Sequence, residues 1–272
     1  MSDPQEDDKA GHKEEVWIVV PTLNEADHIL SLLGSIRSEM IGVPFCVCIV
    51  DDGSKDGTLN LVQSYVQSER IDNVRIIQRK KTHSGSQRGG AVLAGLRYGL
   101  QNSKCGVFVE MDADLSHSPK ELKEGVHAIE ALGFSVAIAS KYLPGSRIVN
   151  RPWTRRSLSY VYNWLLRRLI SCEVHDHSNG YRFYDRRSIE IICNHRIRYG
   201  SPICLVEVLA ILLAQDMRIF EFPSTYVGRG EGVSKLRWTD VVKAGVAMFE
   251  ISARYHLSRF RRKRKIVVAP HI

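Results

Sequence analysis

The chain has 272 residues, a length that allows one large domain or two modest ones with a sizeable core. Hydrophobic residues make up 44% and charged residues 25%, which is the composition of a globular protein and excludes a wholly disordered one. The formal net charge is +8, and the positive charge is densest near one end, where residues 254–265 carry seven Lys and Arg.

The N-terminal residues 1–15 are mainly acidic and polar, and they lack the apolar core of a signal peptide. We therefore predict a disordered tail there. The six cysteines form no C-x-x-C pair and show no zinc-ligand spacing, so we expect buried, reduced thiols. No apolar run approaches the ~18 residues that span a bilayer. These features predict a cytosolic protein without a transmembrane span, whose basic end contacts an acidic partner.

Short apolar runs alternate with helical patterns through the first half of the chain. The runs are continuous rather than alternating, which predicts parallel strands that are covered on both faces. They lie at residues 16–20, 45–50, 74–77, 107–111 and 135–139. Between them, apolar residues recur at helix spacing. The alternation of strand and helix predicts a doubly wound α/β domain.

The second half of the chain is mainly helical. Residues 151–171 predict an amphipathic helix, and Tyr162, Leu165, Leu166 and Leu169 lie on its expected inner face. A buried helix, a strand, a glycine-rich loop and a last amphipathic helix follow. We therefore divide the chain into a disordered acidic tail (1–15), one catalytic domain (16–238) and an amphipathic, basic C-terminal helix with its tail (239–272).

Two of the apolar runs end in acidic pairs, Asp51 with Asp52 and Asp112 with Asp114. Ligands of doubly wound sheets bind beyond the carboxyl ends of the strands, where both pairs fall. Two carboxylates at this spacing suit Mg²⁺ or Mn²⁺, which a few carboxylates and substrate phosphates hold. Helix capping is the alternative, which we favour for Asp51. For the second pair Ser118 is the better cap, so we predict a metal and diphosphate site there.

The chain also resembles a known family. It contains VVPTLNEADHI, IVDDGSKDGT, RGGAVLAGL and EMDADLSHSP in that order, which resemble the family 2 glycosyltransferases. The later segments SKYLPGS, RPWTRRSLSYVYN, DHSNGYRFY and GRGEGVSKL resemble the dolichol-phosphate mannosyltransferases and their bacterial polyprenol-phosphate relatives. The resemblance implies a GT-A, Rossmann-like fold: a mostly parallel sheet flanked by helices, with a helical C-terminal extension.

The resemblance implies roles for individual residues. The nucleotide-sugar pocket it implies consists of Pro21, Leu23, Glu25, Val50, Asp52, Asp112, Ala113, Asp114, Lys141, Arg229 and Lys235. The implied ligands of Mg²⁺ or Mn²⁺ are Asp112, Asp114 and Ser116. The implied acceptor-phosphate residues are Lys141, Arg155, Ser159 and Arg182. The implied catalytic residues are Asp114, Arg155 and Lys141.

The implied reaction is an inverting transfer of mannose from GDP-mannose to a polyprenyl or dolichyl phosphate at the cytoplasmic face of a membrane. A lipid phosphate is already an anion and needs no general base. A sugar hydroxyl as acceptor would make Asp176 the candidate base, although we favour a structural role for it. The family usually has Tyr where this chain has Leu23, and Arg where it has Lys141. The donors UDP-glucose and UDP-N-acetylglucosamine therefore stay open.

Two other classes of protein were weighed against the transferase. A nucleotidyltransferase would carry a Gly-rich loop with Lys or Arg after the first strand, where this chain has PTLNEAD. A binding protein without catalysis would lack the metal-binding acids. Nucleic-acid binding needs cations spread over a folded face with aromatic residues, so we predict no nucleic-acid partner.

We expect the basic C-terminal helix to contact a membrane peripherally, with a solvated tail as the alternative. The loop 228–235 is expected to close over the diphosphate.

Overall fold

The computed structural model describes residues 15–79, 88–200, 203–228, 238–256 and 266–268. The strands in these ranges are β1 (Val16–Thr22), β2 (Phe45–Asp51), β3 (Val74–Gln78), β4 (Val107–Glu110), β5 (Val136–Ser140), β6 (Arg147–Val149), β7 (Arg182–Asp185), β8 (Ile219–Pro223), β9 (Thr225–Val227) and β10 (Ile266–Val268). The helices are α1 (Ile29–Glu39), α2 (Thr58–Ser68), α3 (Arg88–Asn102), α4 (Leu122–Glu130), α5 (Trp153–Leu169), α6 (Arg186–Asn194), α7 (Cys204–Ala214) and α8 (Trp238–His256).

One large sheet organises the described residues. Its eight strands lie in the order β10-β8-β5-β7-β4-β1-β2-β3, while β6 and β9 form a separate parallel pair. Neighbouring strands of the large sheet are parallel, except that β7 is antiparallel to both β4 and β5. The predicted α/β architecture with a mostly parallel sheet flanked by helices is therefore confirmed.

Strand β1 shows why the apolar runs are continuous. Its residues are buried, and successive side chains point to opposite faces of the sheet. Trp17 and Val19 belong to one apolar cluster, whereas Ile18 and Val20 belong to another. Helices cover both faces, so an apolar side chain is favoured at every position.

Strand β7 was not predicted from the sequence. The strand begins at Arg182 and ends at Asp185, with Phe183 and Tyr184 between them. All but Asp185 are buried. Both ends of this segment are charged, so the sequence pattern does not indicate a strand. Its short apolar centre lies between β4 and β5 in the sheet.

The C-terminal helix α8 packs part of its surface into the apolar core. Ala247, Met248 and Ile251 are buried in the same apolar cluster as residues of α7. Val246 and Phe249 of the same helix are 54% and 65% exposed. The tail also contributes β10, which was not predicted and which pairs with β8.

Some predicted segments lie outside the described residues. They are the acidic tail 1–14, most of the glycine-rich loop and most of the basic cluster, at 257–265. Among the helices that the structure does describe, none is long and apolar enough to cross a bilayer.

Two glycines inside helices give a matched test of the packing. A Cβ at Gly95 of α3 would lie 2.5 Å from Val19 Cγ1, whereas a Cβ at Gly34 of α1 would meet nothing within 4 Å. Gly95→Ala is expected to destabilise the fold by about 1–3 kcal/mol through overpacking. Gly34→Ala is expected to stabilise it by up to about 1 kcal/mol, because alanine favours the helix. Urea unfolding measures both, and equal changes would contradict the packing of α3 on β1.

Candidate active site

The candidate site lies where β4, β1 and β2 end side by side. Pro21 pairs with Val50 in the register of β1 and β2, and the Met111 N–H after β4 donates to Val19 O at 3.2 Å. Because these strands are parallel neighbours, their carboxyl ends bring both acidic pairs to one edge of the sheet. The predicted convergence of the two acidic strand ends is present.

The loop after β2 is organised by Asp51. Its Oδ1 accepts hydrogen bonds from the N–H groups of Gly53 and Ser54, at 2.9 and 3.0 Å. The N-cap residue of α2 is Gly57, and the N–H of the first helical residue, Thr58, donates to Asp56 Oδ1 at 3.1 Å. Asp51 therefore shapes the turn and does not cap the helix, which corrects the predicted capping role.

The loop after β1 is cross-linked to the same turn. Asn24 has a left-handed backbone with φ +56°, and its N–H donates to Ser54 Oγ at 2.8 Å. The Glu25 N–H donates to Thr58 Oγ1 at 3.0 Å. Leu23, at the tip, is 37% exposed. These bonds fix the backbone around the residues predicted to contact the nucleoside.

Asp52, the other predicted pocket acid, is paired with a cation that the sequence analysis did not identify. Arg79 Nη1 lies 2.9 Å from Asp52 Oδ1, just beyond the end of β3. The Arg79 N–H also donates to Asp51 O at 2.8 Å. An ion pair between the loop after β2 and the residue after β3 therefore lies where the nucleoside pocket is predicted.

Arg88, at the first position of α3, connects the turn after β4 to the core. Its Nε donates to Asp112 Oδ1 at 2.6 Å, and its Nη1 donates to Glu110 Oε2 at 3.0 Å. Its Nη2 donates to Gly180 O at 3.0 Å. Burial opposes the charge, but the two carboxylates outweigh it and raise the pKa of Arg88 above its ordinary value. Arg88 thereby fixes one oxygen of Asp112.

The turn after β4 is tight. Asp114 Oδ1 accepts from the Ser116 N–H at 3.0 Å, and Leu115 between them has φ +59°. The Asp112 N–H donates to His117 Nδ1 at 3.1 Å, so the ring proton lies on Nε2, which bonds Asn179 Oδ1 at 3.0 Å. Burial lowers the pKa of His117, which favours this neutral form.

The residues of this turn fit a metal that is shared with a substrate. Within the described ranges, no group of three or more Asp, Glu, His or Cys side chains is arranged to hold a metal ion alone. Asp112 and Asp114 offer carboxylate oxygens, and both are partly exposed. The buried Ser116 hydroxyl makes no hydrogen bond of good geometry to the described residues, although the Tyr226 hydroxyl is near. This oxygen set suits a hard divalent cation that takes further ligands from a diphosphate and water.

Lys141 lies in a buried ion pair. Its Nζ is 3.1 Å from Asp176 Oδ2, and its own N–H donates to the same oxygen at 3.0 Å. The other oxygen, Oδ1, accepts from the N–H groups of Ser178 and Asn179 at 3.0 and 2.9 Å. Burial raises the pKa of Asp176, but Lys141 and the N–H groups outweigh it and hold that pKa below its ordinary value. Asp176 thus has the contacts of a structural carboxylate.

Arg182 was predicted to bind the acceptor phosphate, and the structure contradicts this. The side chain is fully buried. Its guanidinium donates to backbone oxygens of Asn179, Leu205 and His177, at 2.9, 2.7 and 2.8 Å. A fully buried guanidinium that donates to three carbonyl groups is inaccessible to a ligand. Arg182 therefore stabilises the start of β7.

The other predicted acceptor residues lie on the inner face of α5. Arg155 and Ser159 are half-buried, and they share a face with the buried Asn163 because they are spaced four residues apart. Asn163 Oδ1 accepts from the His177 N–H at 3.0 Å. The helix is therefore tied to the loop that carries Asp176. Arg229 and Lys235 lie outside the described residues.

A profile of the family described as Glycosyl transferase family 2 matches residues 17–192. Polyprenol monophosphomannose synthase of Mycolicibacterium smegmatis is 32% identical over 90% of this chain and 89% of its own length. Undecaprenyl-phosphate mannosyltransferase of Micrococcus luteus is 32% identical over 90% of this chain and 98% of its own. Dolichol-phosphate mannosyltransferase of Pyrococcus furiosus is 26% identical over 82% of this chain and 59% of its own.

Solved structures share the fold at lower identity. Glucosyl-3-phosphoglycerate synthase of Mycobacterium tuberculosis, in complex with UDP, superposes with a TM-score of 0.60 at 16% identity. The match covers 88% of this chain and 80% of the synthase chain. The same enzyme with Mn²⁺, UDP and glucosyl-3-phosphoglycerate gives a TM-score of 0.55 at 18% identity, over 90% and 80% of the two chains.

The Arg88 contacts predict that substitutions of Arg88 and Glu110 are strongly coupled in their effects on the free energy of unfolding. Arg88→Met leaves the buried Glu110 carboxylate without its cation, and we expect a loss of about 3–5 kcal/mol in the free energy of unfolding. Glu110→Gln in the same chain removes that carboxylate and should recover at least ~1 kcal/mol of the loss. Urea unfolding of the wild type, both single variants and the double variant measures the coupling. Additive losses would contradict the proposed ion pair.

Proposed function

The chain belongs to glycosyl transferase family 2, and on that premise we propose that it transfers mannose from GDP-mannose to a polyprenyl phosphate. The observation that carries the proposal is the pair of relatives at 32% identity and 90% coverage, both named for mannose attached to a polyprenyl phosphate. The transfer inverts the configuration at the anomeric carbon, because one displacement joins the acceptor to the sugar. The product is a β-linked mannosyl phosphate.

The donor is proposed to bind at the joined ends of β1, β2 and β4. The nucleoside faces Pro21, Leu23, Glu25, Val50 and Asp52, and the diphosphate faces the turn after β4. Asp112 and Asp114, with the Ser116 hydroxyl, would hold Mg²⁺ or Mn²⁺, which neutralises charge on the leaving diphosphate. Arg88 keeps Asp112 in a fixed orientation for this task. Arg229 and Lys235 remain proposed diphosphate contacts.

The acceptor side supports an anionic nucleophile. Asp176, the base candidate if the acceptor were a hydroxyl, is fully buried and already receives hydrogen bonds at both oxygens. A phosphate oxygen needs no deprotonation, so cations that hold it near the anomeric carbon suffice. Lys141, Arg155 and Ser159 are proposed to bind it. An arginine fork matches two phosphate oxygens, which favours Arg155 as the main contact.

The outer face of α5 supports peripheral membrane contact by this enzyme. Six large apolar side chains are exposed on this one helix: Trp153, Leu158, Tyr160, Val161, Trp164 and Leu165. The helix contains several arginines and no acidic residue, which suits an anionic lipid surface. Val246 and Phe249 of α8, which packs on α5 through the Ser252–Leu169 hydrogen bond, are exposed as well. We propose that this surface, at the cytoplasmic face of a membrane, complements the predicted contact of the basic C-terminal end.

Loss of the metal-binding acid tests the donor site. Asp114→Asn removes a negative oxygen ligand, and we expect transfer from radiolabelled GDP-mannose to polyprenyl phosphate to fall at least ~100-fold. Excess EDTA should abolish transfer by the wild type, and Mg²⁺ or Mn²⁺ should restore it. The unphosphorylated polyprenol should not accept mannose. Full activity of Asp114→Asn, or equal transfer to the unphosphorylated polyprenol, would contradict the mechanism. Parallel reactions with UDP-sugars in place of GDP-mannose decide which donor the enzyme uses.

Substitutions on the outer face of α5 test the membrane surface. Leu158→Gln with Val161→Gln removes apolar area, and binding to vesicles of phosphatidylcholine with phosphatidylglycerol should weaken about tenfold or more. The matched control is Ile41→Gln with Leu132→Gln, two apolar residues that are also exposed but lie outside α5. Sedimentation with vesicles measures both. Equal binding by the two double variants would exclude α5 as the contact.

A further inference from the structure

The charge of Lys141 is largely compensated before any ligand binds. Its Nζ lies 3.1 Å from Asp176 Oδ2, and both side chains are buried. The pair is therefore close to neutral as seen by an incoming phosphate. A second anion would have to compete with Asp176, whose oxygens are also held by backbone N–H groups. Lys141 alone is a weak clamp for an acceptor phosphate.

Arg151 is a nearby cation that has no carboxylate partner among the described residues. Its guanidinium carbon lies 5.5 Å from the centroid of the Tyr226 ring, and Lys141 Nζ lies 5.5 Å from the same centroid. Both distances are within cation–π range. No carboxylate of the described residues lies within ion-pair distance of Arg151. Arg151 therefore brings a full positive charge to the ring that it shares with Lys141.

The backbone around Arg151 is fixed by close contacts. Asn150 has a left-handed conformation with φ +52°, and the Gly228 N–H donates to Val149 O at 2.8 Å. A Cβ at Gly228 would lie 2.6 Å from Asn150 O and 3.3 Å from Arg151 Cβ. Only glycine permits this approach. The corner between β6 and α5 therefore presents Arg151 at a defined position.

The shared ring lies next to the metal-binding turn. The Val227 N–H donates to Ser116 O at 3.1 Å, and the ring of Tyr226 meets the edge of His117 with 6.0 Å between centroids. Burial raises the pKa of the Tyr226 phenol, and the Asp114 carboxylate raises it further. Tyr226 is thus adjacent both to the turn that carries Asp114 and to the cations Lys141 and Arg151. A phosphate on the cation side would lie beside the sugar end of the donor.

We propose that Arg151 binds the phosphate of the acceptor and supplies the uncompensated positive charge that Lys141 cannot. The inference rests on the proposed function, because it names a further residue of the same acceptor site. The donor diphosphate offers the same chemistry, so the assignment depends on which substrate loses affinity. The acceptor is favoured because Arg151 leads directly into α5, the helix that carries Arg155 and Ser159.

The test compares Arg151→Gln with Arg147→Gln, which removes the same charge from an exposed position four residues earlier. We expect the apparent KM for polyprenyl phosphate to rise about tenfold or more in Arg151→Gln, since a charged hydrogen bond is lost. The KM for GDP-mannose should stay unchanged. Arg151→Lys, which keeps the charge, should restore part of the acceptor affinity. Arg147→Gln should behave as the wild type.

A labelling measurement on the unaltered protein covers the case in which Arg151→Gln fails to fold. Farnesyl phosphate should protect Arg151 from phenylglyoxal, as seen by peptide mass spectrometry, while GDP should not. An unchanged acceptor KM, no protection by farnesyl phosphate, or a rise in the donor KM instead would overturn the assignment to the acceptor. A wild type that transfers no sugar to polyprenyl phosphate would overturn the proposed function itself, which separates the two failures.

Discussion

The candidate site depends on one largely buried cation, because Arg88 holds together three parts of the chain that meet beside the turn after β4. It joins the start of α3 to Glu110 in β4, to Asp112 after β4 and to Gly180 before β7. Burying a guanidinium costs solvation free energy, and only well-placed carboxylates offset that cost. The close approach also requires glycine at 180, since a Cβ there would lie 2.2 Å from Arg88 Nη2. The Arg88 contacts that stabilise the junction with β7 therefore also orient Asp112, the acid that we assign to the donor site.

The charges of the site are separated in a way that matches the proposed chemistry. Acids lie in the turn after β4, cations lie at the end of β5 and the start of α5, and Tyr226 is close to both groups. Two anionic substrates, a diphosphate donor and a phosphate acceptor, repel each other. A metal on one side and arginines on the other would offset that repulsion and hold the two reacting atoms together. Because the nucleophile is already charged, the site needs no general base, and the buried carboxylate of Asp176 is free to serve as a structural group.

The sequence predicts those features that depend on local pattern. Continuous apolar runs located β1, β2, β3, β4 and β5 to within a residue or two, and the acids at the strand ends predict a donor site at the edge of the sheet where these strands end. Arg88 was missed, although RGGAVLAGL was recognised as a motif, because its partners lie 22, 24 and 92 residues away in the sequence. Arg182 was misassigned because the sequence pattern does not show that its side chain is buried and donates to the carbonyl groups of Asn179, His177 and Leu205. The outward face of α8 was likewise undetermined, because packing on α5 and α7 selects which apolar residues are buried.

The central claim is that the acceptor phosphate attacks the anomeric carbon of the donor sugar, so that the donor keeps both of its phosphates. The phosphorus-31 spectrum of the lipid product made from GDP-mannose and polyprenyl phosphate tests this directly. The account predicts a single phosphodiester signal in the lipid product and free GDP as the other product. A pair of coupled diphosphate signals in the lipid product, with GMP released, would mean attack at phosphorus instead and would contradict the account.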